Sequence, residues 1–587
     1  MRETGERSII RSRQLSRLLS VASFLAAYAL AMFLFFREPI LSGFDLGFGD
    51  RGDSLIEISL LEHWRNVFVH GTVWNLPAYF HPYGDTLGYN DGYFLYGLVY
   101  SFWRLFADPF HADTLNIFTF KTIGFASAYA LVSRSLGWEK PIALLIAILF
   151  TIASGMAIQA GHAQLHTIGL LPVVSMLGLG MVRAERAGRP GKSAAFGCAF
   201  AAVMAAWFIT SYYLAWFTML FAGVLALCWL WKTGQLAPRK AIVLARRHIV
   251  SLAATGSAFA LCIVPFLMVY LAKLAETGGH GYMISPLVTV ADLINVGPGN
   301  YVWGWIFQIL EALFKAVVPA GSTLPQRFLR GEHETGFPLV LFALTILALY
   351  RVLGRGKTVP APPPASIDMR VFALAIVISW ALTLQLWILS PWGLVHFLVP
   401  GARGIRIVLR YQLFLVLPVL LLVFAVYRDR AMRLIRASPW IATAIAGFLI
   451  GEQLSAEPAA QLSRARQIRD LWHIPAPPTG CLSFYVVLAR TSEEVSTKAG
   501  SALKKNPKDG GGNGLYPHNV DAMLLAQLWR VPTINGFSTF NPPDWNFANS
   551  TSPDYDARVA AYANKHGLHG VCRLDVRQPQ PWSRTME

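Results

Sequence analysis

Long apolar runs alternate with short charged segments along most of the chain. Eleven of these runs are long enough to cross the roughly 30 Å hydrocarbon core of a bilayer as helices. The predicted spans lie at 18–36, 115–133, 141–160, 166–182, 194–210, 212–231, 249–271, 336–353, 370–389, 407–427 and 438–454. This pattern predicts an all-α polytopic membrane protein.

Two other apolar segments resemble spans but are left out of this count. Segment 93–106 is only 14 residues long, and segment 301–318 carries Glu311 and Lys315. Counting 93–106 as a span would move basic loops, such as the one containing Arg183, to the wrong side of the membrane under the positive-inside rule. We therefore expect 93–106 to lie on the membrane surface or dip into it, and the sequence leaves open whether either segment crosses.

The charge of the chain follows from this topology. Lys and Arg number 50 against 33 Asp and Glu, a net charge of +17, yet only 14% of residues are charged and 54% are hydrophobic. A soluble protein carries about 25% charged residues, so an ordinary cytosolic enzyme is excluded. Because the basic residues cluster in the loops of one face, no nucleic-acid partner is needed to explain the charge. We expect a multi-pass protein of the inner (plasma) membrane with a cytoplasmic N-terminus.

An odd number of spans places the C-terminus outside. The outer face then carries loops 37–114 and 272–335 of a transmembrane domain, 1–455, and a separate segment, 456–587. That last segment has the composition of a soluble protein and predicts a small extracytoplasmic α/β domain. Its expected elements are strands at 481–487 and 570–575, a helix near 519–529 and a Gly-rich loop at 509–514.

Two cysteines occupy comparable positions in the two strand candidates of this outer domain. In an oxidising compartment Cys481 and Cys572 could form a disulfide, and the alternative is two free buried thiols.

Acidic residues in Gly-rich turns mark the first outer loop. They are Asp50, Asp53, Asp85 and Asp91. Over a water-filled cavity such carboxylates could act as general bases or hold a divalent cation. Asp beside Gly is also a common turn signal, so any one of the four could be structural.

A short, otherwise uncharged connection between two spans contains His162, Gln164 and His166. Imidazole and amide groups could bind sugar hydroxyls or a phosphate there. The alternative is a pair of interfacial histidines in a hydrated turn.

Three arginines precede the predicted span at 407–427. Arg403, Arg406 and Arg410 would share one face if the segment were helical, and Arg410 would lie about one turn inside the span. A guanidinium at that depth needs a cavity, a bound anion or a buried ion pair, and its fork suits phosphate oxygens. Lys121 is similarly placed inside a span and could serve the same cavity.

The second outer loop ends in Glu332-His333-Glu334, directly before a span. Glu334 is a candidate substrate contact if this loop orders over a substrate. Solvated surface charge is the alternative.

The order of these features resembles the GT-C superfamily of integral membrane glycosyltransferases. The shared features are a first span, a long outer loop with Asp50 and Asp53 soon after it, surface helices, many further spans and an outer C-terminal domain. The resemblance implies an enzyme that moves a sugar from a polyprenyl-phosphate donor to a lipid, glycan or protein acceptor by an inverting mechanism. It also implies that Asp53 or Asp50 is the base, with Asp53 preferred beside the surface helix, and that the outer arginines hold the donor phosphate.

Two other classes of function stay open. A carrier or flippase for a lipid-linked glycan would need the arginines but not the aspartates, and a non-catalytic scaffold in envelope polysaccharide assembly would need neither. No GxxxxGK[ST] motif occurs, which excludes a P-loop ATPase. The sequence establishes no cofactor and leaves a divalent cation open.

Overall fold

The computed structural model describes residues 2–282, 287–318, 329–354, 368–386, 389–487, 517–538, 540–550, 552–576 and 578–584. Within these ranges, seven helical segments are long and apolar enough to cross a membrane, and a bent helix pair makes an eighth. Three shorter apolar helices lie at the remaining predicted spans. The chain is therefore an all-α polytopic membrane protein with a small sheet region, as the sequence predicts.

The helices fall in an order that follows the apolar runs. They are α1 (Arg2–Phe35), α2 (Arg37–Leu41), α3 (Asp53–His70), α4 (Phe94–Trp103), α5 (Pro109–Ala130), α6 (Lys140–Thr151), α7 (Ser154–Ile158), α8 (Leu170–Arg186), α9 (Pro190–Thr210), α10 (Tyr212–Lys232), α11 (Pro238–Arg247), α12 (Ile249–Cys262), α13 (Val264–Thr277), α14 (Gly304–Val317), α15 (Leu339–Leu353), α16 (Met369–Ala381), α17 (Trp392–Leu398), α18 (Tyr411–Ala437), α19 (Pro439–Gly451), α20 (Arg464–Leu471), α21 (Pro517–Trp529) and α22 (Tyr555–Lys565). The strands are β1 (Leu46–Gly47), β2 (Leu462–Ser463), β3 (Ser483–Val486), β4 (Val571–Leu574) and β5 (Trp582–Arg584).

The span predicted at 249–271 is bent. Helices α12 and α13 meet at 57° across Ile263, and Pro265 lies in the first turn of α13. Proline has no backbone N–H to donate and its ring crowds the preceding turn, so a straight helix cannot continue through it. At the centre of the bundle, α18 is the most buried of the candidate spans.

The surface helix predicted at 93–106 is α4, which has ten residues and is too short to cross a bilayer. Its Tyr96 and Tyr100 are fully buried, whereas Leu98 and Phe102 are more than half exposed. One face therefore packs on the protein and the other is apolar and open, as on a helix lying in the membrane surface. Helix α14 is not among the candidate spans, and its Glu311 pairs with Lys315 at 2.7 Å.

The C-terminal segment forms a three-stranded sheet. Strand β4 lies in the middle, parallel to β3 and antiparallel to β5. Cys481 and Cys572 form a disulfide with their Cα atoms 5.7 Å apart. Both strands and the helix near 519–529 lie where the sequence predicts them. The Gly-rich loop at 509–514 and most of a Pro-rich segment at 356–368 lie outside the described residues.

This C-terminal segment packs on the first outer loop. Strand β1 pairs antiparallel with β2, and Arg51 donates to both carboxylate oxygens of Asp521 at 2.6 Å. The amide of Asn66 donates to the backbone oxygen of Gln527 at 2.9 Å. Helix α3 is consequently held between the membrane bundle and the C-terminal segment, which fixes the start of α3, where Asp53 lies.

Candidate active site

Helix α3 begins at Asp53, and Asp50 caps its first turn. One carboxylate oxygen of Asp50 accepts from the backbone N–H of Gly52 at 2.8 Å and of Asp53 at 3.3 Å. These donors are among those that the start of a helix leaves without intrahelical partners. Asp50 therefore has a structural task, whereas the side chain of Asp53 is 46% exposed.

A close approach of two backbones brings a second loop to Asp53. Gly49 has a φ of +73°, and a Cβ added there would lie only 2.7 Å from the Cα of Gly161. No side chain fits between these glycines, so the loops touch directly. The next residue, His162, then lies over the start of α3.

His162 lies between two carboxylates. Its Nδ1 is 3.6 Å from the Oδ2 of Asp53, and its Nε2 is 3.6 Å from the Oε1 of Glu332. Burial lowers the pKa of His162, and the charge of Arg410 lowers it further, against the two carboxylates. The imidazole is therefore neutral near pH 7 and has a single N–H for two acceptors.

Glu332 also holds Arg410. The Nη2 of Arg410 is 2.5 Å from the Oε1 of Glu332, and its Nε is 3.1 Å from Oε2, a two-point contact that suits a guanidinium and a carboxylate. Burial alone would raise the pKa of Glu332, but Arg410 and His162 hold it below its usual value. Glu332 is therefore ionised, and the site network Asp53–His162–Glu332–Arg410 is continuous.

The arginine segment is not one helix, so the condition under which the three arginines would share a face is not met. Ala402–Gly404 and Val408–Arg410 are single 3₁₀ turns separated by extended backbone, and α18 begins only at Tyr411. Gly401 has a φ of +83°, a conformation that turns the chain and that other residues rarely adopt. The three arginines consequently face different surroundings.

The three arginines differ in whether a carboxylate pairs with the guanidinium and in how exposed the residue is. Arg410 is buried against Glu332, with its guanidinium carbon 5.6 Å from the centre of the Tyr213 ring. Arg406 is half-buried, its backbone N–H donates to the Tyr213 hydroxyl at 3.0 Å, and it pairs with no carboxylate among the described residues. Arg403 is exposed, 6.0 Å from the centre of the Phe397 ring.

Gln164 and Asp91 lie behind the network. The Tyr93 hydroxyl donates to the amide oxygen of Gln164 at 2.9 Å, and the backbone N–H of Tyr212 donates to Asp91 at 3.2 Å. Burial raises the pKa of Asp91, although the Tyr212 N–H, Arg410 and Gln164 act against that rise. Asp91 therefore lies close to both Arg410 and Gln164, inside the protein.

Four other predicted site residues do not reach the network. Lys121 donates to the backbone oxygen of Thr151 at 3.1 Å and lies 3.9 Å from the centre of the Phe35 ring. His166 is fully buried edge-on against the same ring. These two polar groups are buried inside the bundle because the helices that carry them pack there.

Asp85 and Glu334 also lie elsewhere. Asp85 has a φ of +51° and accepts from Asn75, so it is a turn residue. Glu334 accepts from the backbone N–H of Gly331 at 3.0 Å, and burial together with nearby Glu457 raises its pKa to about 8. The acidic residue of that segment that joins the network is instead Glu332, two positions earlier.

A second acidic pair lies one turn further along α3. Glu57 and Asp113 are almost fully buried and close enough to raise the pKa of Glu57 well above its usual value, burial being the larger cause. One oxygen of each has no hydrogen-bond partner within the described residues, and the same holds for the hydroxyl of Tyr96 and the amide of Asn116. Within the described ranges, no cation pairs with either acid.

No metal site is evident in the part of the chain that the structure describes. There, no three His, Cys, Asp or Glu side chains are arranged to hold a metal ion. The network instead offers an accessible carboxylate, a neutral imidazole and the guanidinium of Arg410.

Comparison with known proteins gives a distant likeness of fold. No protein-family model matches the sequence, and no curated protein is significantly similar to it. Among solved structures, the chain is similar to ArnT from Cupriavidus metallidurans in the apo state, with 14% identity and a TM-score of 0.39 over 95% of this chain and 93% of ArnT. It is also similar to the same protein bound to undecaprenyl phosphate, with 13% identity and a TM-score of 0.35 over 95% and 92%.

Proposed function

We propose that this chain is a membrane glycosyltransferase of the GT-C type that takes its sugar from a polyprenyl-phosphate donor. The observation that supports this most is the network that joins half-exposed Asp53 through His162 and Glu332 to Arg410, at the start of a candidate span. It combines a group able to take a proton with groups able to stabilise a departing phosphate.

Asp53 is the proposed base. In the transfer, the acceptor hydroxyl oxygen attacks the anomeric carbon of the donor sugar, and the bond from that carbon to the phosphate oxygen breaks. The hydroxyl proton passes to Asp53, and the phosphate leaves with the bonding electrons as polyprenyl phosphate. Attack opposite the leaving group inverts the anomeric configuration. Asp50 is the weaker candidate because its carboxylate caps α3.

Arg406 is the proposed first ligand of the donor phosphate. Arg410 is already held by Glu332, so its guanidinium is fixed. Arg406 forms no salt bridge in the described residues, although its charge also acts on Glu332. A phosphate between them would gain charge-assisted hydrogen bonds at a position where an unpaired guanidinium is costly. Arg403, on the exposed side, contributes more weakly.

His162 and Gln164 are proposed to position the reacting groups. The imidazole of His162 lies 3.6 Å from a carboxylate oxygen of Asp53 and of Glu332, so it is placed to limit the orientations of the base. Gln164, fixed by Tyr93, is proposed to contact sugar hydroxyls, with Asp91 behind it. The proposed acceptor is a lipid, glycan or protein hydroxyl on the same face of the membrane.

The deciding experiment separates donor binding from transfer. Purified protein would be tested for binding of undecaprenyl phosphate, and for transfer from a panel of radiolabelled polyprenyl-phosphate sugars to membrane acceptors. We expect Asp53→Asn to bind undecaprenyl phosphate as the parent does but to transfer no sugar, and Arg406→Gln to bind it at least about tenfold more weakly. Transfer at the parent rate by Asp53→Asn would refute the base.

The same experiment tests the carrier alternative. A flippase would move a fluorescent lipid-linked sugar across the membrane of proteoliposomes without transferring it, and Asp53→Asn would not affect that movement.

Reporter fusions after residue 460 test the proposed orientation, with the N-terminus in the cytoplasm and residues 456–587 outside the inner membrane. A cytoplasmic signal would refute it.

A further inference from the structure

A cavity of about 400 Å³ lies beside the C-terminal half of α3, away from the site network. Arg65, which lines it, is twelve residues after Asp53, or about 18 Å along a helix that rises 1.5 Å per residue. The opposite wall comes from the C-terminal segment and includes Trp472, Trp529 and Arg530. This cavity, called the interfacial cavity below, therefore lies near the end of α3 that is opposite to Asp53.

The walls of the interfacial cavity carry more positive than negative charge. Its one carboxylate, Glu62, is 1% exposed and lies 2.5 Å from the Nε of Arg104. Arg65 lies 3.8 Å from the other oxygen of Glu62, and Arg530 has no acidic partner among the residues described. The cavity walls therefore carry three guanidiniums and one carboxylate, an excess of two positive charges beside two indole rings.

The cavity lies beside the point where the chain passes from the surface helix α4 into a candidate span. Arg104 directly follows surface helix α4, and α5, a candidate span, begins five residues later at Pro109. Between them Phe106 is 74% exposed. Trp472, 46% exposed, has its ring 6.1 Å from that of Phe110, the second residue of α5. Exposed tryptophan and phenylalanine next to arginine are typical of the membrane–water interface.

We propose that the interfacial cavity binds the phosphate headgroup of an anionic glycerophospholipid from the leaflet on the Asp53 side. Arg65 and Arg530 would hold the phosphate oxygens, for which a guanidinium fork is suited, while Arg104 stays with Glu62. Exposed Phe106 and its apolar neighbours would contact the acyl chains. The volume is sufficient for a headgroup, and the site is distinct from the donor phosphate site at Arg406.

The test is lipid binding by the full-length protein in detergent, followed by native mass spectrometry. We expect saturable binding of phosphatidylglycerol, no comparable binding of phosphatidylcholine, and at least about tenfold weaker phosphatidylglycerol binding by the Arg65→Gln/Arg530→Gln double variant. A matched control, Arg558→Gln/Arg573→Gln, removes one arginine of α22 and one of β4, and should bind as the parent does. Melting temperatures of all variants show whether they are folded.

Arg406→Gln makes the two phosphate sites distinguishable. It should weaken undecaprenyl phosphate binding and leave phosphatidylglycerol binding unchanged. The Arg65→Gln/Arg530→Gln double variant should weaken phosphatidylglycerol binding and leave undecaprenyl phosphate binding unchanged. Equal phosphatidylglycerol binding by parent and double variant would overturn the proposal. So would full displacement of the lipid by millimolar inorganic phosphate, which would indicate a site for soluble phosphate.

Discussion

Two acidic sites lie one turn apart on α3 and have opposite environments. Asp53 is half-exposed, faces His162 and belongs to a network that ends in a guanidinium. Glu57 is buried against Asp113, and burial and that neighbouring carboxyl raise its pKa. Carboxylates in water beside a positive group can take up and release a proton reversibly, whereas a sealed pair holds its proton. A helix therefore does not by itself determine the role of the acids it carries.

The largest expected effect is on transfer by Asp53→Asn. An amide cannot accept the acceptor proton, and removing a general base lowers rates by about 10²–10⁴-fold. Single-turnover transfer from a radiolabelled polyprenyl-phosphate sugar measures this. Asp50→Asn is the matched control, because it retains a side chain that can cap α3 and should lose little activity. A larger loss in Asp50→Asn than in Asp53→Asn would reverse the two assignments.

The second effect concerns the far end of the network. Arg410→Met leaves Glu332 partly buried without its cation, which we expect to destabilise the protein by about 3–5 kcal/mol. Thermal unfolding in detergent measures the loss. The double variant Arg410→Met/Glu332→Met removes both charges and should recover most of the stability. If the double variant were as unstable as the single one, the ion pair would not be the cause.

The third prediction compares two neighbouring glutamates across pH. Glu334 has a pKa raised to about 8, chiefly by burial, so the folded protein holds its proton more tightly than the unfolded chain does. Stability should then fall as pH rises from about 4.5 to about 8. Glu334→Gln should remove that part of the fall, raising the melting temperature at pH 8 by about 2–4 °C relative to the parent.

Glu332 provides the opposite control. Its pKa is lowered, so it contributes stability above its unfolded pKa, and this contribution is lost as pH falls. Glu332→Gln should therefore cost stability at neutral pH and little in acid. The same pH response in both variants would contradict the assigned environments.

The sequence predicts the spans well because apolar length alone determines which segments can cross a bilayer. It predicts Asp53, His162 and Arg410 as candidates but not their contacts, because these depend on loops brought together by packing such as that of Gly49 on Gly161. The spacing of the three arginines is compatible with a helix, but spacing alone does not reveal the positive φ of Gly401.

For a related reason, the sequence does not determine whether Glu332 or Glu334 contacts Arg410. Both precede the same span, and only the turn at Gly331 determines which one faces Arg410. Lys121 and His166 show the same limit, because an ionisable residue in a span can face either a cavity or the packed bundle. A signal was present for Glu332, namely its proximity in sequence to a span and to His333, but nothing in the pattern ranks it above Glu334.

The smallest expected effect is that of Glu57→Gln, and it tests the comparison most sharply. Because burial keeps Glu57 protonated near neutral pH, a glutamine of nearly the same shape replaces a neutral group with a neutral group. Transfer should stay within about threefold of the parent, under 1 kcal/mol in the barrier. Glu57→Leu would instead leave Asp113 without its hydrogen-bond partner and should cost about 1–3 kcal/mol of stability. A loss of transfer in Glu57→Gln as large as in Asp53→Asn would mean that the sealed pair exchanges protons with the network, and both acids of α3 would then belong to one reaction.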